Sequence, residues 1–112
     1  MFEKEMFNDP SSTVMIDNGF LMHKYFKGQG QFKRHHDFYI KDNTHRVIVY
    51  IWYLNGVEKG GETQIFQHVK IRPEPGKLLL FPAQWCFPHC GLMPLSGDKY
   101  VITGWLHWPN NP

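Results

Sequence analysis

The run Arg46-Val-Ile-Val-Tyr-Ile-Trp-Tyr-Leu54 constrains the fold more than any other stretch. Its interior is β-branched or aromatic throughout. Such side chains lose rotamer freedom in a helix and pack well on a pleated sheet. The run therefore predicts a long strand.

From Gly19 onward the chain divides into short runs separated by turn signals. Phe20 to Phe26 is apolar and ends at Gly28-Gln29-Gly30. Gln31 to Asp37 reads as extended. Asn55 to Gly61 is a loop closed by a glycine pair. Glu62 to Phe66 and His68 to Arg72 read as two short strands. Pro73-Glu-Pro-Gly76 is a tight turn, because proline presets φ and glycine supplies a positive φ. Lys77 to Phe81, Phe87 to Cys90 and Lys99 to Trp108 complete the set. About seven or eight strands without a helical pattern predict an all-β domain, a sandwich or jelly roll. That domain is expected over 19–112. Residues 1–18 are polar, carry the turn cluster Asn8-Asp9-Pro10-Ser11-Ser12, and are expected to form an arm or at most a short helix.

A chain of 112 residues fits one domain. Aromatic residues make up 16% and exclude a disordered chain. Twelve Lys and Arg against ten Asp and Glu, with no basic run, predict neither nucleic-acid nor membrane partners. The cysteines are Cys86 and Cys90. On an extended segment their Cα atoms would lie roughly 13 Å apart, too far for a disulfide. Two reduced, buried thiols are expected, which suits a reducing compartment. With Met1 as the natural start there is no signal-peptide stretch, and a cytoplasmic protein is expected.

Three features suggest chemistry. In a strand, residues i and i+2 share a face, so His35 and Asp37 can approach one metal while His36 points away. His89 follows in Phe87-Pro-His-Cys-Gly91. Lys99 stands ten residues later, at the start of the last strand. Two imidazoles and a carboxylate on one side of a metal form the facial triad of non-haem iron(II) oxygenases, which leaves positions open for a chelating co-substrate and O₂. Zinc more often takes a tetrahedral site with a single open position.

The order and spacing of these residues resemble the iron(II)- and 2-oxoglutarate-dependent dioxygenases, specifically the prolyl 4-hydroxylase branch. The resemblance runs from about Tyr25 to Trp105. It takes in Tyr25-Phe-Lys-Gly28, Phe32-Lys-Arg-His-His-Asp37, Tyr53-Leu-Asn55 and Gly60-Gly-Glu-Thr63. It continues through Pro75-Gly-Lys77, Leu80-Phe-Pro82, His89-Cys-Gly91, Gly97-Asp-Lys-Tyr100 and Gly104-Trp105.

The resemblance implies a double-stranded β-helix with the metal at one open end. His35, Asp37 and His89 would be the catalytic iron ligands. Lys99 would pair with the distal carboxylate of 2-oxoglutarate, since an inward-facing ammonium is costly unless paired. Tyr25, Tyr53 and Thr63 match positions around the co-substrate. Arg46 and Trp105 match positions that hold the target proline, and period-2 geometry puts Trp105 on the same face as Lys99. The implied reaction hydroxylates an unactivated C–H bond with O₂ and releases succinate and CO₂. Ascorbate is the implied reductant, and peptidyl proline or a small molecule the implied substrate.

About 24 residues precede Tyr25, where family members usually carry a helical region. A minimal enzyme, a fragment and a homodimer that completes itself are the readings left open. Two others compete on function: the same chemistry on a free amino acid, another side chain or a small metabolite, and a non-catalytic jelly-roll binding module. The nucleic-acid demethylase branch fits less well, because it places arginines where Lys99 and Trp105 stand.

Overall fold

A computed structural model describes residues 15–29, 32–35, 37, 40, 41 and 44–109, with residues 18, 32–35, 40, 41 and 109 described as backbone. Among the described residues all regular structure is strand. In chain order these are β1 (Ile16–Tyr25), β2 (Phe32–His35), β3 (Ile40–Lys41), β4 (Thr44–Tyr53), β5 (Thr63–Ile65), β6 (Val69–Ile71), β7 (Leu78–Pro82), β8 (His89–Gly91) and β9 (Lys99–Pro109). Every pairing among the described strands is antiparallel. One sheet has the order β1-β9-β4-β3, with β7 also on β4, and the other runs β2-β8-β5-β6. This is the jelly-roll, or double-stranded β-helix, architecture.

The run that opened the sequence reading becomes β4, at the middle of the larger sheet. Val49, Ile51 and Tyr53 are buried on its inner face, while Trp52 points outward and is exposed. Val101 from β9, Phe81 from β7, Ala83 just after it, and Ile65 from the facing sheet close the core around them. Burying each of the larger apolar side chains contributes about 1.5–3 kcal/mol.

Several strand limits differ from the sequence reading. The first strand starts at Ile16, before the polar-to-apolar change, because its register on β9 continues past a bulge between Asp17 and Phe20. The arm expected over 1–18 lies outside the described residues up to residue 14. The two-residue β3 was not anticipated; it pairs with the first two residues of β4. Cys86 is exposed and Cys90 half-buried, both free. The expectation of buried thiols is therefore corrected: Cys86 lies in the turn after β7 rather than on a strand.

Gly60 and Gly61 shape the loop that leads into the site. Both have positive φ, 75° and 77°. A Cβ on Gly60 would collide with the Met93 carbonyl and the Leu95 backbone, so no other residue lets the two loops approach this closely. The approach is held by Gly61 N–H donating to the Met93 carbonyl at 3.0 Å.

Candidate active site

A cavity of about 240 Å³ opens between the two sheets. The larger sheet contributes alternate residues of β9 to it: Lys99, Val101, Thr103 and Trp105. This is the period-2 face predicted for Lys99 and Trp105. Tyr25 from β1, Thr63 from β5, His89 from β8 and Asp37 also line it.

Asp37 and His89 converge at the wall formed by the smaller sheet. His89 Nε2 lies 3.0 Å from Asp37 Oδ2, and both side chains are buried. His35 and Asp37 do not share one strand as expected: β2 ends at His35, and Asp37 lies two residues beyond it. The backbone of His35 pairs with His89 across β2 and β8. The His35 side chain lies outside the described residues.

The chemistry of the Asp37–His89 pair bears on what it could hold. His89 Nδ1 sits 3.1 Å from the Phe87 carbonyl. A carbonyl oxygen only accepts, so Nδ1 carries the hydrogen and donates it. In the neutral ring Nε2 is then an acceptor that faces a carboxylate oxygen. Two lone pairs at this distance repel unless a proton or a cation lies between them. Imidazole locked by a backbone carbonyl on its far nitrogen is the usual arrangement of a metal-ligating histidine. The donor set present therefore fits a divalent cation that takes imidazole and carboxylate together.

Lys99 lines the same cavity from the start of β9. It is 2% exposed. Its Nζ donates to the Gly61 carbonyl at 2.8 Å and sits 4.5 Å from the Tyr25 ring centroid. Among the described residues no carboxylate lies within ion-pair distance of it. Burial pulls the ammonium down to about 8, opposed in part by the Glu62 carboxylate. The phenol of Tyr25 moves the other way, pushed up by burial and by neighbouring Tyr53. Tyr25 therefore remains a hydrogen-bond donor at neutral pH.

Tyr53 is fully buried, and its hydroxyl shares a 2.6 Å hydrogen bond with Thr63 Oγ1. It does not itself line the cavity; it holds the threonine that does. Arg46 is also off the cavity wall. Its guanidinium lies over the Trp105 ring, 3.8 Å from the centroid. The buried Trp105 indole N–H has no hydrogen-bond partner among the described residues. His23, Leu21 and Thr103, none of them expected from the sequence, line the same cavity. His23 and Leu21 precede Tyr25 by two and four residues, so the period-2 rule could have found them.

Fold and site together define a jelly roll with an imidazole–carboxylate pair at one level of its cavity and a buried ammonium at another. The chain belongs to the 2OG-Fe(II) oxygenase superfamily, whose family model matches residues 20–107. No curated protein sequence matches it. Among solved structures it is similar to the viral collagen prolyl hydroxylase of Paramecium Bursaria Chlorella virus-1, with a TM-score of 0.73 and 23% identity over 86% of this chain and 57% of that one. It is similar also to a prolyl-4-hydroxylase of Pseudomonas putida, with a TM-score of 0.63 and 24% identity over 78% of this chain and 50% of that one. A prolyl 4-hydroxylase structure from Phytophthora capsici has a TM-score of 0.67 and 30% identity, covering 83% of this chain and 34% of that one. The chain thus spans between a third and three-fifths of the length of these structures.

Proposed function

We propose that the chain is the catalytic core of an Fe(II)- and 2-oxoglutarate-dependent dioxygenase that hydroxylates peptidyl proline. The observation that carries this reading is that one cavity is lined by two groups that each call for a ligand: opposed acceptors at Asp37 and His89, and at Lys99 a buried ammonium with no carboxylate partner among the described residues. A dicarboxylate chelating a metal answers both groups at once.

When bound, iron and 2-oxoglutarate supply the oxidising power for C–H hydroxylation with O₂, with succinate and CO₂ as products. Asp37 and His89, with His35, would hold the iron. Lys99 would neutralise the distal carboxylate. The Tyr25 phenol, kept protonated by burial, can donate to the same carboxylate, and Thr63 is oriented for it by Tyr53. Val49, Ile51 and Val101 give the cavity a dry wall, which strengthens these polar contacts. Trp105, which lines the cavity, and Arg46, stacked on its ring, would hold the proline ring. Ascorbate is the proposed reductant for uncoupled turnover. The prolyl assignment draws on the likeness to prolyl hydroxylase structures and on the Arg46–Trp105 stack.

The test is mass spectrometry on proline-rich peptides, with succinate measured in parallel. The expected result is a +16 Da product that requires both iron(II) and 2-oxoglutarate. A +16 Da product on free amino acids with none on peptides would move the substrate to a small molecule. Absence of succinate under every condition would overturn the enzymatic reading.

A further inference from the structure

Strand register divides the cavity into levels. On the larger sheet Tyr25 pairs with Lys99, His23 with Val101, and Leu21 with Thr103. Side chains two residues apart share a face and are separated by roughly 6.6–6.8 Å. On the smaller sheet Thr63 pairs with Gly91, and Ile65 with His89. A Cβ on Gly91 would lie 3.6 Å from Lys99 Nζ, so Gly91 and Lys99 sit at one depth. His89 lies farther toward Trp105. Its ring meets Phe81 edge-on, with centroids 4.7 Å apart, and Phe81 pairs through Val49 with Trp105. One step from Lys99 toward the Asp37–His89 pair therefore leads, on β1, to the level of His23.

His23 is half-buried and lines the cavity. Its ring centroid lies 6.1 Å from that of Tyr25. A five-carbon diacid anchored at Lys99 reaches about 5 Å along its four carbon–carbon bonds. Together with the roughly 2.8 Å of the anchoring ammonium–carboxylate hydrogen bond, this covers the step of about 6.7 Å from the Lys99–Tyr25 rung to the level of His23. The neighbouring wall at this height is the apolar Val101.

Building on the reading given under Proposed function, we propose that His23 is a co-substrate-positioning residue. Its ring N–H donates to the 2-oxoglutarate carboxylate nearer the metal. Lys99 and His23 then clamp the diacid at its two ends, and the histidine sets the angle at which it meets the metal.

The test is calorimetric titration of 2-oxoglutarate, without O₂, into the chain loaded with Mn(II). Wild type, His23→Leu and His23→Gln are compared, with circular dichroism and melting confirming each fold. Losing a hydrogen bond to a charged group should raise the 2-oxoglutarate Kd about tenfold in His23→Leu. His23→Gln keeps an N–H donor and should stay within a few-fold of wild type. Unchanged affinity in a folded His23→Leu chain overturns the proposal. Equal loss in both variants also overturns it, because that pattern marks packing rather than donation. Absence of metal-dependent 2-oxoglutarate binding in the wild type overturns the reading of the whole site, and the role of His23 with it.

Discussion

Lys99 and Tyr25 face each other on the same rung of the β1–β9 ladder, with the ammonium 4.5 Å from the phenol ring centroid. The ring and the Gly61 carbonyl are a partial substitute for an anion. They leave the buried charge under-compensated, and that is the physical basis for its low pKa.

A first prediction is that Lys99→Met separates stability from binding. Depression from 10.5 to about 8 corresponds to a folded-state penalty on the order of 3 kcal/mol. Removing the charge should therefore raise the melting temperature of the metal-free chain, as replacing buried charge by apolar volume often does. The same change should weaken 2-oxoglutarate at least tenfold. Differential scanning calorimetry and titration of the same sample check both arms.

The pH dependence follows from the same group. The folded pKa lies below the unfolded value, so the unfolded chain holds more protons between about 8 and 10.5. The contribution of Lys99 to stability should therefore rise with pH across that window and be flat below it. Affinity for 2-oxoglutarate has the opposite trend, because it needs the ammonium. It should be level below pH 8 and fall above it, by up to about tenfold per unit. Lys99→Met should abolish both slopes.

His89→Ala should eliminate the thermal stabilisation that Mn(II) or Fe(II) gives the wild-type chain. A bound ligand at one hundred times its Kd is worth about 2.7 kcal/mol, and that increment should vanish. Asp37→Asn, which keeps the volume, should reduce it also. Melting curves with and without metal decide this without any turnover.

Tyr53 and Thr63 should behave as a unit. Tyr53→Phe leaves a buried threonine hydroxyl without its partner, at a cost of about 1–3 kcal/mol. Thr63→Val alone strands the phenol at a similar cost. The double variant should be less destabilised than the sum of the two, which urea melts in a double-mutant cycle can measure.

Arg46→Ala should impair hydroxylation of proline peptides while sparing 2-oxoglutarate turnover without substrate, because Arg46 itself stands off the cavity wall, behind Trp105. Loss of the cation–π contact should cost the fold about 0.5–2 kcal/mol. Equal loss of coupled and uncoupled turnover would make Arg46 a structural residue instead.

Much of this site was legible in one dimension because strand geometry is simple. The two-residue period put Lys99 and Trp105 on one face, and both line the cavity. Asp37 is different. Local geometry linked it to His35 through a strand that in fact ends before it, whereas its contact with His89 depends on packing between distant segments. Cys86 shows the converse. Its composition suggested a buried thiol, but it falls in an exposed turn whose position depends on how β7 and β8 connect.

The amino-acid order alone determined that the described residues form strands rather than helices, because β-branched and aromatic runs cut by glycine and proline admit little else. It determined the alternation of inner and outer residues along β4 and β9 as well, since that needs only the pleat. Tertiary structure decided which inner faces meet. Lys99 became a buried cation because the Gly60–Gly61 loop closes over it, and the Asp37 and His89 acceptors came to face each other because segments 52 residues apart in the sequence meet at one wall. Burial and convergence are properties of the whole packing, and no local stretch contains them.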